Sequence, residues 1–199
     1  MLELTRVGTR VYNTPRRYYT FHEPLHFEFK DTGSVFDLNP SDHFSVHCEI
    51  DFPNSVIGKQ EADMNCLDEY SASIAPCRTF VFLHEIEPLL QFNLIKGGSL
   101  DNALVYVNEE LKPRQLKRLG KTFNKDINNF KVHDGVLNTT NPYFPNEPAR
   151  HKLLDFVGDV RLAGSMLNAH FSIYKPGHKA NNAFARFLME YMNNHPNQE

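Results

Sequence analysis

A chain of 199 residues with 41% hydrophobic and 23% charged residues is long and apolar enough to bury a core, which excludes global disorder, a collagen repeat and a coiled coil. Its formal net charge of −3 supplies no overall basic field for nucleic acid. Its three cysteines, Cys48, Cys66 and Cys77, are widely spaced and form no Cys-x-x-Cys pair, so neither a disulfide framework nor a thiolate zinc site is indicated; with no signal-peptide run and no stretch of ~20 apolar residues, the expected location is the cytoplasm.

Sixteen Phe and eight Tyr without Trp predict either a phenylalanine-rich core or an apolar ligand channel, and composition leaves both open. Residues 1–16 read as the end of one element followed by a connector, as expected of a link from a domain upstream. From residue 17 the pattern has period two: Tyr19 and Phe21, then Leu25, Phe27 and Phe29 alternating with His26, Glu28 and Lys30. Turns at 31–34 and 39–42 separate a return strand, and Phe44, Val46, Cys48 and Ile50 alternate with Ser45, His47 and Glu49. This predicts an antiparallel meander with one apolar face that needs a cover.

Leu67 to Ile74 predicts a short helix ended by Pro76. Residues 78–83 read as a strand, His84 to Leu94 as a helix and Ala103 to Val107 as a second strand, a β-α-β unit over 78–107. The glycines at 97–98 could cradle an anion, but a C-terminal helix stop accounts for them better. Residues 109–148 form a charged and irregular insert: Lys112, Arg114, Lys117, Arg118, Lys121, Lys125 and Lys131 make it locally basic, with Leu116, Leu119 and Phe123 at helical spacing. A solvated helix face accounts for that pattern better than nucleic acid. A helix follows from about Pro148 to Ala163, stopped by Gly164, then a strand over 169–174, a turn at 175–178, a helix carrying Phe184, Phe187, Leu188 and Tyr191, and a polar tail at 192–199.

On the helix after Pro148, His151, Asp155 and Asp159 are spaced by four and share one face. Such a column of one imidazole and two carboxylates fits part of a metal site, but on spacing alone a solvated polar stripe is the better account. A hydrolytic zinc site needs three protein ligands. The remaining histidines are scattered on predicted strands and loops, so spacing identifies no third ligand on a helix face.

Four motifs together carry a resemblance: Arg-His-Lys-Leu-Leu-Asp-Phe-Val-Gly-Asp at 150–159, Tyr-Lys-Pro-Gly-His at 174–178 followed by Asn181 and Asn182, Cys-Arg-Thr-Phe at 77–80, and Gly-Gly-Ser-Leu-Asp-Asn-Ala at 97–103. From about residue 17 to 188 the chain resembles the C-terminal half of UDP-3-O-acyl-N-acetylglucosamine deacetylase, the zinc amidase of lipid A biosynthesis. The resemblance implies that His151 and Asp155 are zinc ligands, that His178 is the general acid oriented by Asp159, and that Thr79 helps hold the oxyanion. It places Lys152 near the nucleotide phosphates, Lys175 in the UDP site and Asp51 with Phe52 at the uridine end. Phe80, Phe82, Ile86, Gly98, Ser99 and Val105 fall in the β-α-β insert that forms a passage for the acyl chain.

In that family a third zinc ligand and a catalytic glutamate belong to a first domain, and no counterpart is present in this sequence. The expectation is therefore an α+β second domain: a two-layer sandwich of a mainly antiparallel sheet packed on helices, with a β-α-β insert, inactive alone. Its partners would be UDP-3-O-acyl-N-acetylglucosamine, the first domain and, in the fused form, a 3-hydroxyacyl-acyl carrier protein dehydratase. The rival expectation is a non-catalytic module that binds a nucleotide sugar or an acyl chain.

Overall fold

The strands form where apolar and polar residues alternate, and the helices where the apolar spacing lengthens to three and four. The computed structural model of the chain describes residues 18–86, 102–123, 126, 131–138 and 141–196. In chain order the strands are β1 Tyr18–Thr20, β2 Leu25–Phe29, β3 Ser34–Pro40, β4 Ser45–Phe52, β5 Gly58–Met64, β6 Thr79–Phe82, β7 Ala103–Tyr106, β8 Lys131–His133, β9 Val136–Asn138 and β10 Met166–Tyr174. The helices are α1 Pro113–Phe123, α2 Glu147–Val160 and α3 His178–Asn194, with single helical turns at Leu67–Glu69, Tyr70–Ile74 and Arg161–Ala163.

The main sheet has the order β2-β3-β10-β4-β5, with β1 paired to the start of β10. The last strand thus lies between β3 and β4, antiparallel to the first and parallel to the second. The expected meander is broken at its centre. Paired on both edges, β10 lies inside the sheet and hides Leu167, Ala169, Phe171 and Ile173, each at most 2% exposed, an apolar run that suits an interior strand. Strand β5 falls outside the predicted set. Only Ala62 and Met64 of it are buried, and its remaining polar residues suit an edge.

Helices α2 and α3 cover the sheet's apolar face and give the two layers expected of the fold. Phe36, Phe156, Phe171 and Phe184 are all fully buried between them, with Phe36 stacked on Phe184 at 4.7 Å and Phe156 edge-on to Phe171 at 5.4 Å. Much of the phenylalanine content is therefore core. Helix α2 starts at Glu147 with Pro148 in its first turn, where a missing N–H costs nothing, and the chain leaves through Gly164 at φ 89°. Helix α3 continues to Asn194 with Met192 buried, three residues into the stretch read as a tail.

Strands β6 and β7 are parallel, as a β-α-β unit requires, and residues 83–86 begin a helix between them. The rest of that predicted helix, with Gly98 and Ser99, lies outside the described residues, as do 1–16 and 197–199. The charged insert is more ordered than its composition suggests. Strands β8 and β9 form a hairpin around Asp134-Gly135, both at positive φ (47° and 75°), and β9 pairs with β7. The two inserts thus share one sheet, β6-β7-β9-β8, closed on one face by Ile86, Val105, Val107, Leu119 and Leu137.

Candidate active site

The column on α2 forms as its spacing requires, at the edge where α2, the start of α3 and the strand ends meet. His151 Nε2 is 3.4 Å from Asp155 Oδ1, and Lys152 Nζ is 3.1 Å from Asp155 Oδ2. The other imidazole nitrogen, Nδ1, donates to the Cys77 carbonyl at 3.2 Å, which leaves the Nε2 lone pair facing the carboxylate. Burial pushes the His151 pKa below its ordinary value, against the upward pull of Asp155 and the Cys77 carbonyl, so the ring is held neutral. A neutral imidazole beside a carboxylate is a donor pair suited to zinc. Among the described residues no group of three or more His, Cys, Asp or Glu is placed to hold a metal ion.

One helical turn on, Asp159 Oδ2 accepts from His178 Nδ1 at 2.8 Å, and His178 Nε2 lies 3.9 Å from Asp155 Oδ2. His178 is the first residue of α3, after Gly177. The turn before it is held in an unusual shape. Lys175 has φ 50°, and this left-handed conformation is secured by the Lys175 N–H donating to the Glu49 carbonyl (2.8 Å) and by Ser34 Oγ donating to the Lys175 carbonyl (2.7 Å). Lys175 Nζ thereby reaches Asp51 Oδ2 at 3.3 Å. A cavity of about 370 Å³ opens here, lined by Ser34, Asp51, Phe52, Lys175, His178 and Lys179 among others.

Phe52 joins this cavity to the insert. It meets Phe80 edge-on at 5.6 Å and Phe82 at 5.8 Å, and Lys152 Nζ sits 5.5 Å from the Phe80 ring centre. Strand alternation and the helix at 83–86 divide the residues expected to line one passage. Phe80 and Phe82 pack with Phe52 and Tyr106 in the main cluster, whereas Ile86 and Val105 are buried on the insert's other face. Thr79 is exposed at the start of β6, two residues after the Cys77 carbonyl that holds His151.

The chain matches the family described as UDP-3-O-acyl N-acetylglycosamine deacetylase (LpxC) over residues 1–121 and 113–190. It belongs to that family. It is similar to the bifunctional enzyme LpxC/FabZ of Porphyromonas gingivalis, 39% identical over 94% of this chain and 40% of the relative. The same-named enzyme of Bacteroides thetaiotaomicron is 34% identical over 97% and 42%. A UDP-3-O-acyl-N-acetylglucosamine deacetylase of Nitratidesulfovibrio vulgaris is 35% identical over 94% and 52%. The chain thus spans about half the length of the curated relatives it matches. Among the described residues no helix is long and apolar enough to cross a membrane.

Some supporting contacts carry no signal in the sequence. The Arg78–Glu147 pair ties the segment before β6 to the first residue of α2, with Arg78 Nε 2.9 Å from Glu147 Oε1 and both side chains buried. The Cys77 carbonyl, one residue earlier, is placed against His151 by this pair. No spacing rule links positions so far apart in the chain. Asn181 was different: it lies three residues after His178, on the same helix face, and that signal was legible.

Proposed function

We propose that this chain forms the second half of a cytoplasmic zinc-dependent amidase that removes the N-acetyl group from UDP-3-O-acyl-N-acetylglucosamine in lipid A biosynthesis. The observation that carries the proposal is the convergence of the His151/Asp155 donor pair and the His178/Asp159 dyad beside the Lys175 cavity. His151 and Asp155 would hold zinc, which when bound supplies Lewis-acid polarisation of the amide carbonyl and an acidified water. The third ligand and the glutamate base would come from the part of the relatives that this chain does not span, and the relatives named LpxC/FabZ make a fused dehydratase a further partner.

The chain's own residues do the rest. Asp159 holds the Nδ1 proton of His178 and stabilises its imidazolium, so that Nε2 can give a proton to the leaving amine. The Thr79 hydroxyl donates to the developing oxyanion. Lys175, paired with Asp51, and Lys152, placed over Phe80, meet the nucleotide's negative charge, and Phe52 offers a ring to the uridine. Phe80 and Phe82 meet the start of the acyl chain, whereas Ile86 and Val105 support the insert's shape from its far face, with Gly98 and Ser99 as further lining positions.

The test is a deacetylase assay of this chain, and of the protein with the other half, on UDP-3-O-acyl-N-acetylglucosamine. Turnover is expected only with both halves, and His178→Ala should lower it roughly 10²–10⁴-fold. Full activity of this chain alone would overturn the division of ligands, and near-normal turnover of the variant would overturn the acid role. One observation favours a second reading, a nucleotide-sugar binding module: the Lys175 cavity is formed by described residues, whereas among the described residues no group of three metal donors comes together. UDP binding without turnover in the two-half protein would favour that reading.

A further inference from the structure

Asn181 is fully buried in α3 and none of the roles above uses it. Its backbone N–H bonds to the Gly177 carbonyl at 2.8 Å, which places it in the first turn of the helix and on the face of His178. The two side chains reach across to α2 and converge on one atom. His178 Nδ1 is 2.8 Å from Asp159 Oδ2, and Asn181 Nδ2 is 2.9 Å from the same oxygen. At its other end, Asn181 Oδ1 is buried and has no hydrogen-bond partner among the described residues.

A buried carbonyl without a partner opposes folding, and an apolar side chain of equal size would avoid it. Only the Nδ2 end can face an ionised carboxylate, so Asp159 dictates the amide's orientation and strands Oδ1. The cost falls on stability and the benefit falls on the carboxylate's position. That benefit matters because the His178 side chain is 67% exposed and little packing holds the ring, whereas Asp159 is only 17% exposed. The direction of the imidazole depends on Asp159, whose contacting oxygen Asn181 holds.

We infer that Asn181 is a positioning residue for the proton donor: it fixes the rotation of the Asp159 carboxylate, and through it keeps His178 Nε2 directed at the cleft beside Asp155. The inference rests on the acid role proposed for His178.

The test is Asn181→Leu, close in size and without polar atoms, in the protein carrying both halves. Losing one charge-assisted hydrogen bond should lower kcat about tenfold, with KM within about twofold and the melting temperature equal or higher. A double-mutant cycle separates positioning from general support. In an Asp159→Ala background the same substitution should change kcat less than about twofold, because nothing remains for Asn181 to hold. Equal losses in both backgrounds, or unchanged kcat in the single variant, would overturn the inference. Long-range proton–nitrogen spectra of the His178 ring give a readout independent of turnover: one Nδ1–H tautomer in the wild type and a mixture in Asn181→Leu. Absence of deacetylase activity in the wild type would sink the proposed function, and an unchanged His178 spectrum in the variant would sink the positioning role by itself.

Discussion

Replacing Glu147 with Ala tests what sets the geometry of the site. The carboxylate is fully buried and accepts from the Arg78 backbone N–H (2.9 Å), Arg78 Nε (2.9 Å), Arg78 Nη2 (3.2 Å) and the Tyr143 backbone N–H (2.6 Å). Its removal takes the carboxylate from a buried guanidinium and strips two backbone amides of their acceptor. Breaking a buried pair in this way costs about 3–5 kcal/mol, or roughly 6–20 °C in midpoint for a chain of this size. Thermal and urea unfolding measure it. Arg78→Met with Glu147→Leu should recover much of the loss, because replacing the whole pair removes the uncompensated charge. A loss below about 1 kcal/mol for Glu147→Ala, the value of an exposed pair, would refute the reasoning. The same carboxylate shapes the acid limb of stability. Burial pushes its pKa up, but the hydrogen bonds from Arg78 and Tyr143 and the Arg78 charge outweigh burial and hold it below the ordinary 4.5. Its contribution is therefore complete above pH 4.5 and is lost as the pH falls through the lower folded-state value. Glu147→Gln should flatten that part of the curve.

Gly135→Ala should destabilise the chain by about 1–3 kcal/mol, since its Cβ would meet Val56 side-chain atoms at 2.6–2.9 Å with φ at +75°. Val56→Ala in the same chain should recover only part of the contact cost, because it removes both γ-methyls but leaves the Val56 Cβ at 2.7 Å, and unfolding midpoints read the difference. All three cysteines are free, but Cys48 and Cys77 are buried, and burial raises both thiols, that of Cys77 to about 11. A thiol reagent on the native protein should label Cys66 alone until unfolding; rapid labelling of a second site would contradict the buried positions. Lys175→Ala should weaken UDP binding about tenfold or more, with a smaller salt dependence, and calorimetry at two ionic strengths reads both.

What was legible in the sequence was local or repeated. The His151/Asp155/Asp159 column follows from 3.6 residues per turn, the Gly164 stop from left-handed backbone, and the strands β2 to β4 from alternation, and each formed close to where the pattern put it. The Asp134-Gly135 hairpin was legible too, but the surrounding lysines obscured a two-residue signal. The order of strands was not local: β10 is the last strand in the chain yet pairs with both β3 and β4, a choice of partners among strands that no single stretch contains. Strand parity likewise separated Phe80 and Phe82 from Val105, and the helix after β6 carried Ile86 to the side of Val105, although all four read simply as apolar. At the site, the sequence by itself determined which groups share the face of α2. Only the tertiary structure brought Asp159, His178 and Asn181 to one oxygen, because that contact depends on how two helices from different parts of the chain pack on one sheet.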